Sequence, residues 1–393
     1  MNYPTPPPIW VLSLGAGLAP FAVTLVAPAI PTLAIDLSAD SNLAQLVLTT
    51  LLLSIALGQL ILGPLSDHFG RKPIFLAGSI AFCLACIGAA ASESIESIII
   101  FRVIQGFGAA AAVAMSRSIV VDFYGTQKAA EAMSTIIAMM AVIPVIGTAL
   151  GGILAEIAGW QGSFLVLAVT GALLSYLVKY KINETHEPKH ILSLSNVWNG
   201  YRELLCTPKF MSSALTTAFQ TAVFFALMGF IAYSFERMDI SAKEFGFWMA
   251  ATSVGYVAGN LVNKKLLATY KIETITLVGA TASLCSLLLM ELWYLAMPES
   301  PISLAIPMLF VGLSNGVIIA NSIILASSAV PRLKGSATGL VGAMQMIAGG
   351  ASGTIAIWLG ADENTITGIN VLVVIAFFSM LAAVWSSKIH RSG

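Results

Sequence analysis

The chain has 393 residues, of which 58% are hydrophobic and 10% are charged, and its mean hydropathy is +0.89. Soluble domains carry roughly 25% charged residues, so this composition excludes an ordinary soluble enzyme and predicts an integral membrane protein. Basic and acidic residues number 19 each, and no basic block is present, which argues against a nucleic-acid partner. We therefore expect the lipid bilayer to be the main environment of this chain.

Hydropathy predicts twelve membrane-spanning helices, each close to the roughly 20 residues that cross a bilayer. The first apolar segment lacks a basic leader and is too long for a signal peptide, so we expect it to be the first span. The predicted spans are 9–33, 43–65, 74–92, 96–118, 130–156, 162–181, 210–235, 243–263, 273–295, 302–328, 335–359 and 366–387.

The charges between the spans predict the orientation. Most basic residues fall at one set of helix ends, whereas the opposite loops are rich in acids. Cytoplasmic loops carry an excess of lysine and arginine, and the number of spans is even. We therefore expect both termini in the cytoplasm.

A polar interval at 182–209 divides the chain nearly in half. It predicts an N-terminal six-helix bundle at 1–181, a cytoplasmic linker at 182–209 and a C-terminal six-helix bundle at 210–393. Apolar residues recur within the linker at helical spacing and predict an amphipathic helix on the membrane surface: Leu194, Val197, Trp198, Tyr201 and Leu205.

The two halves share an internal repeat. Gly63 aligns with Gly259 and Asp67 aligns with Asn263 at the same separation, and a pair of adjacent basic residues follows both copies. These matches fall at the turn after the second span of each half, where a duplicated transporter predicts them. The predicted fold is an all-α membrane protein with twelve transmembrane helices in two pseudo-symmetric six-helix bundles.

The turn between the second and third spans reads Gly63-x-x-x-Asp67-x-x-Gly70-Arg71-Lys72. It resembles the signature turn of the major facilitator superfamily, which adds an acid at the end of the fourth span. The resemblance implies an inner gate that holds the halves closed on the cytoplasmic side, and the alternative is a set of solvated topology charges. Its members are Asp67, Arg71, Lys72, Arg117 and Asp122.

Arg102 in the fourth span lies about 9 Å along the helix from the outer residue Glu96. An arginine at this depth costs roughly 2.5–3.5 kcal/mol on insertion scales, so it should face a cavity or a partner, together with Gln105. The pattern resembles the fourth-span motif of drug-exporting branches, where this arginine is associated with proton coupling. Alternatively, Arg102 caps carbonyl groups of a broken neighbouring helix.

The first span, Ala19–Pro31, resembles that of the bacterial bicyclomycin/chloramphenicol-resistance (Bcr/CflA) drug:proton antiporters. Thr24 stands where that group commonly has an aspartate, and Thr148 stands where it has a proline in the fifth span. Threonine cannot carry a proton, so the coupling stays open. Small residues and a proline still predict a closely packed face on the fifth span: Pro144, Gly147, Gly151 and Gly152.

A central substrate cavity is predicted from polar and aromatic residues inside the spans, because lipid cannot satisfy buried amides. Such a lining suits a neutral or amphipathic substrate. Alternatively, each amide bonds a neighbouring helix. The predicted lining is Phe21, Thr24, Arg102, Gln105, Gln220, Phe224, Phe225, Asn315, Asn321 and Gln345.

The sequence thus predicts a monomeric secondary transporter in the bacterial inner membrane that works by alternating access. We expect efflux of small amphipathic compounds coupled to protons, with Arg102 acting beside an outer acid such as Asp36 or Glu236. The alternative is an importer or exporter of a specific metabolite or siderophore with different coupling. A membrane enzyme or receptor is less favoured, since no catalytic set, metal site, cofactor site or disulfide framework is evident.

Overall fold

A computed structural model describes residues 6–185, 194–298 and 300–391, so part of the predicted linker, 186–193, lies outside the described residues. The described chain contains α-helices and no strand. The helices are α1 (Ile9–Thr24), α2 (Ile30–Asp36), α3 (Ser41–Phe69), α4 (Arg71–Ala90), α5 (Ile95–Lys181), α6 (Leu194–Leu205), α7 (Pro208–Glu236), α8 (Ala242–Leu266), α9 (Ile272–Ala296), α10 (Pro301–Ser328), α11 (Lys334–Trp358) and α12 (Thr365–Arg391).

Within the described residues, ten helical segments are long and apolar enough to cross a membrane. One of them, Val142–Lys181, has 40 residues, which is twice the length of a span. The 25-residue helix α8 is also long enough to cross but is less apolar than these ten. Counting the 40-residue segment as two spans and adding α8 gives the twelve spans that hydropathy predicts.

The predicted first span, 9–33, corresponds to a helical segment at Ile9–Asp36 that is broken near its middle. Helix α1 ends at Thr24, a 3-10 turn follows at Ala27–Ala29, and α2 begins at Ile30. Pro28 and Pro31 explain the break, because each lacks the backbone N–H that would bond the carbonyl four residues earlier. Backbone polar groups are therefore freed in the middle of the span.

The label α5 covers a helical run of 87 residues, which would be about 130 Å long if it were straight. It instead folds back twice, and we call the parts the first leg (95–124), the second leg (142–158) and the third leg (160–181). The first leg runs antiparallel to α1 and the second runs parallel to it, as these neighbours show: Ser116 beside Gly15, Arg102 beside Ala22, Ile143 beside Gly17 and Gly151 beside Leu25.

The second reversal in α5 lies at Gly159, whose φ of 63° is in the left-handed region that glycine adopts without strain. After it, the Ser163 hydroxyl donates to the Leu25 carbonyl at 3.1 Å, close to where Gly151 of the second leg packs. The predicted fourth, fifth and sixth spans therefore exist as separate spans within one helical run.

Two groups of helices pack separately along the chain. In the first half, α5 packs against α1, α3 and α4; in the second half, α7 packs against α10, α11 and α12, while α9 packs against α10 and α12. Two extensive contacts join the halves, α3 with α11 and α5 with α8, and we call them the seams. We call the helix ends near Arg71, Lys264 and Arg332 the basic end, and those near Asp36, Glu156 and Asp362 the acidic end.

Helices α8 and α10 approach so closely that their glycines leave no room for a side chain. A methyl group added at any of four glycines would overlap a backbone carbonyl of the facing helix: Gly255, Gly259, Gly312 and Gly316. Lipid tails are as apolar as leucine, so helices in a membrane associate largely through such close van der Waals packing. This contact fixes α8, which is the least apolar of the long helices, to its neighbour.

Replacement of Gly316 tests this packing. Gly316→Ala places a methyl group against the Tyr256 carbonyl and 2.7 Å from the Asn260 nitrogen, so we expect a loss of about 1–3 kcal/mol and a lower thermal unfolding midpoint in detergent. Gly335→Ala is the matched control, because nothing lies within 4 Å of its added methyl group. Equal midpoints for the two variants would contradict the packing.

Candidate functional site

Arg71 organises a cluster of charges at the basic end, which we call the Arg71 cluster. Gly70, with a φ of 94°, turns the chain from α3 into α4 and places Arg71 in the first turn of α4. The Arg71 Nη1 lies 2.6 Å from Asp67 Oδ1, and its Nε lies 2.9 Å from Asp122 Oδ2. A planar guanidinium can hold two carboxylates at once, so Arg71 ties α3 to the first leg of α5.

Two members of the Arg71 cluster were not predicted. The Arg71 Nη1 also donates to the Ser66 hydroxyl. The Glu184 carboxylate accepts from the backbone N–H groups of Arg71 at 3.0 Å and Lys72 at 3.1 Å. These N–H groups are free because they belong to the first turn of α4, where a negative charge is also favoured by the helix dipole. Glu184 thereby joins the end of the third leg to α4.

The other two predicted gate residues take different places. Lys72 enters the cluster through its backbone N–H. Arg117 is half-buried, and the described contacts of the cluster do not include it. Arg117 precedes Asp122 by five residues, which is about 140° around an α-helix, so the two side chains face different sides. The described partners of the Arg71 guanidinium all belong to the first half of the chain.

Arg102 is fully buried between the first leg and its neighbours. Its Nη1 donates to Gln105 Oε1 at 2.8 Å and to the Ala22 carbonyl at 3.3 Å, and its guanidinium carbon lies 5.0 Å from the centre of the Phe164 ring. Ala22 lies two residues before the end of α1. Arg102 therefore makes the contact with a broken helix that the sequence offered as an alternative to a cavity position.

The charge of Arg102 has no described counter-charge. Its Nε and Nη2 have no hydrogen-bond partner, although both are buried. Among the described residues, the buried charged side chains are Arg71 and Arg102, and Arg71 has two carboxylates while Arg102 has none. Asp36 and Glu236, the acids predicted to act beside it, are exposed at helix ends. A buried charge without a partner is costly, so this group stands out in the interior.

Gln105 extends the polar site around Arg102 to a third element. Its Nε2 donates to the Cys86 sulfur at 2.9 Å, and both side chains are buried. Arg102, Gln105 and Cys86 thus connect α1, the first leg of α5 and α4. The spacing of Cys86 and Gln105 along the chain held no signal of this contact.

The two threonines that depart from the antiporter pattern bond within their own helices. The Thr24 hydroxyl donates to the Pro20 carbonyl at 2.9 Å, and the Thr148 hydroxyl donates to the Pro144 carbonyl at 2.8 Å. Both side chains are buried. Neither position therefore brings an ionisable group into the interior.

The small residues of the second leg form contacts on two sides. A methyl group at Gly147 would overlap the Thr24 hydroxyl, and one at Gly151 would overlap the Leu25 carbonyl. A methyl group at Gly152 would instead overlap the Ala242 carbonyl of α8. The glycine face therefore packs against α1 within the first half and against α8 across the seam.

Gln220 is the centre of a hydrogen-bond network inside the second half. Its Nε2 donates to Asn315 Oδ1 at 2.6 Å and to the Ser283 hydroxyl at 2.8 Å, and its Oε1 accepts from the Ser379 hydroxyl at 3.2 Å. These contacts tie α7 to α9, α10 and α12. Gln220 and Asn315 are thus satisfied by neighbouring helices in this structure.

The remaining amides of the predicted cavity also bond neighbouring helices. Asn321 and Asn263 exchange two hydrogen bonds, at 2.8 and 3.0 Å, between α10 and α8. Gln345 of α11 donates to the hydroxyls of Thr217 and Thr221 on α7, at 2.9 and 3.0 Å. Among the predicted amides, Gln105 therefore contacts Arg102, whereas those of the second half form three hydrogen-bonded groups among their own helices.

The predicted aromatic residues pack at the edge of the main hydrophobic core. Phe21, Phe224 and Phe225 are each half-buried. The Phe225 ring packs against Gly349 of α11, and Phe21 lies near Gly147 of the second leg. They contact neighbouring helices in their own halves.

Contacts at the acidic end hold the halves together along the seams. The Ser41 hydroxyl donates to the Asp362 carboxylate, and the hydroxyls of Thr49 and Thr354 are 2.8 Å apart. At the other seam, the backbone N–H of Lys243 donates to the Glu156 carboxylate at 3.3 Å. We call these contacts the acidic-end latch, and they close this end of the molecule.

Substitution of Arg71 tests the cluster at the basic end. Arg71→Lys keeps the charge but cannot hold Asp67 and Asp122 at once, so we expect a loss of about 1.5–3 kcal/mol and a lower unfolding midpoint. Lys72→Gln is the control, because its described contact is made by the backbone. The cluster would be refuted as a structural unit if Arg71→Lys unfolded at the midpoint of the unmodified protein.

The amino-acid sequence of this chain is similar to those of known resistance proteins. The chain is 27% identical over 356 residues to the bicyclomycin resistance protein homolog of Haemophilus influenzae, covering 88% of each protein. It is 33% identical over 153 residues to the chloramphenicol resistance protein of Pseudomonas aeruginosa, covering 39% of this chain and 36% of that protein.

Solved structures agree on the fold. The crystal structure of a D-xylose-proton symporter matches with a TM-score of 0.77 at 16% identity, covering 96% of each chain. The family model described as Major Facilitator Superfamily matches residues 12–354. This chain is therefore a multi-pass membrane transporter that belongs to the Major Facilitator Superfamily and resembles its bicyclomycin and chloramphenicol resistance proteins.

Proposed function

We propose that this transporter exports small amphipathic compounds across the bacterial inner membrane in exchange for protons. The names of its relatives support this substrate class, since they are described as resistance proteins for bicyclomycin and chloramphenicol. The basic end faces the cytoplasm in this proposal, as the excess of lysine and arginine there favours. The structure then corresponds to a transporter closed on the outside.

Alternating access is supported by the kind of contacts that connect the two halves. The acidic-end latch consists of a few hydrogen bonds, such as Ser41 to Asp362 and Lys243 to Glu156, rather than a continuous polar core. Such contacts contribute about 0.5–3 kcal/mol each, so a substrate can shift the balance between closed and open states. The halves 1–181 and 210–393 rock about the seams as two bodies.

The linker connects these bodies at the basic end. In α6, Leu204 is buried with Phe210 of α7 and Val341 of α11, and the Tyr201 hydroxyl lies 3.5 Å from the Leu60 carbonyl of α3. Trp198 is 70% exposed, which suits an aromatic side chain at a membrane surface. The segment 182–209 thus works as a surface tether between two bundles of one monomer.

In this proposal, the positive charge of Arg102 couples substrate transport to the uptake and release of protons. Its unpaired Nε and Nη2 are free to bind a carboxylate or a substrate oxygen in another state of the cycle. An acid that approaches Arg102 has its charged form stabilised and releases its proton, and it takes up a proton when it moves away. Asp36 and Glu236 are the candidate acids, and both are accessible from the acidic end.

The second candidate is transport of a specific metabolite without protons. The buried Thr24 favours it, because a hydroxyl cannot carry a proton where the antiporters have an acid. The described interior also holds no buried carboxylate. Substrate specificity would then rest on the predicted amides and aromatic residues once they become accessible in another state of the cycle.

Transport into vesicles tests the proposal. We expect everted vesicles with an acidic lumen to accumulate labelled chloramphenicol, because the proton gradient drives export into the lumen. Nigericin should abolish the accumulation, and vesicles lacking the protein are the control. Accumulation that survives collapse of the gradient would favour the second candidate. Uptake in right-side-out vesicles would contradict export.

A further inference from the structure

Two apolar cavities lie on the flanks of the molecule, away from the seams. The first, which we call the N groove, has a volume of about 220 Å³ and lies between α1 and the second and third legs of α5; it is lined by Leu14, Gly17, Leu18, Phe21, Ile143, Ile146 and Thr170. The second, the C groove, has about 550 Å³ and lies between α7, α11 and α12.

The two grooves are the same site in the two halves. Five lining positions of the N groove recur in the C groove at one constant separation along the chain: Leu14 with Phe219, Gly17 with Ala222, Ile143 with Ala348, Ile146 with Ala351 and Thr170 with Ile375. A cavity that appears independently in both copies of a duplicated fold is a consequence of the architecture rather than of one side chain.

Two of the five pairs account for the larger volume of the C groove, although the other three pairs have the larger residue in the C groove. The second leg fills the N groove with Ile143 and Ile146, whereas α11 places Ala348 and Ala351 at the equivalent positions. The smaller alanines leave the C groove open. It is the one of the two that has room for a chain-like ligand.

The C groove is continuous with the lipid-facing surface. Ile355 on α11 and Val374 on α12 are 50% and 53% exposed at its edges, and its lining contains no charged residue. Of its three polar side chains, Ser352 donates to the Ala222 carbonyl of α7, while Thr367 and Asn370 lie within the first six residues of α12, about 9 Å from the acidic end. The groove thus has a polar mouth near one membrane surface and an apolar interior at greater depth.

We propose that the C groove binds one acyl chain of a phospholipid from the leaflet at the acidic end, with the ester region beside Thr367 and Asn370. Burial of the apolar chain against the apolar lining would stabilise the bound lipid. The opposite side of α11 forms the seam, where Thr354 meets Thr49. The bound lipid therefore packs against the side of α11 that faces away from the seam. The proposed lipid site does not depend on the direction or coupling of transport.

Photolabelling locates the lipid directly. The protein is reconstituted with a phospholipid that carries a diazirine in its acyl chain, and the labelled residues are mapped by mass spectrometry after irradiation. We expect labels to concentrate on 348–375 relative to the lipid-facing surface of α9, and excess unlabelled phospholipid to remove them.

A variant that fills the C groove and a matched control variant test whether the lipid binds there. Ala351→Phe occupies the groove and should lower labelling of 348–375 several-fold, while Ala282→Phe, on the exposed surface of α9, should leave it unchanged. The proposal is wrong if labels spread evenly over the lipid-facing helices of the unmodified protein. It is also wrong if Ala351→Phe labels normally, or if chloramphenicol rather than phospholipid removes the label.

Discussion

The buried charge of Arg102 is the constraint on which the first half of this transporter depends. Removal of a guanidinium from water costs several kcal/mol, and the described partners of Arg102 are a carbonyl, an amide and an aromatic ring rather than a carboxylate. The break in α1 makes this burial tolerable, because Pro28 and its neighbours end the helix just beyond Ala22. The burial of Arg102 therefore depends on the break in α1.

Arg71 and Arg102 are both buried, but they differ in how their guanidinium groups are paired. Arg71 is held by Asp67, Asp122 and Ser66, so it fixes the relative positions of three elements. Arg102 keeps two donor nitrogens unused, so it can gain a partner when the structure changes. A fully paired charge stabilises one state, whereas an unpaired charge is the kind of group whose energy differs between states. We therefore propose a rigid role for the Arg71 cluster and a responsive role for Arg102.

Local rules were sufficient to predict much of the fold from the sequence. Span lengths follow from hydropathy, and the Asp67–Arg71 contact follows from i,i+4 spacing. The break in the first span follows from the positions of Pro28 and Pro31, which is also a local rule. Contacts between distant segments could not be predicted, because they depend on which helices become neighbours. Glu184 beneath α4, Cys86 beside Gln105 and Asn263 opposite Asn321 are of this kind.

The central claim is that Arg102 serves transport rather than folding, and the variant Arg102→Gln tests it most directly when stability and transport are measured on the same preparation. Glutamine removes an unpaired buried charge, so we expect the unfolding midpoint to hold or rise while gradient-driven drug transport is lost. A midpoint lowered by the equivalent of about 3 kcal/mol or more would show that Arg102 is a structural cap of α1. Normal gradient-driven transport by Arg102→Gln would contradict the account altogether.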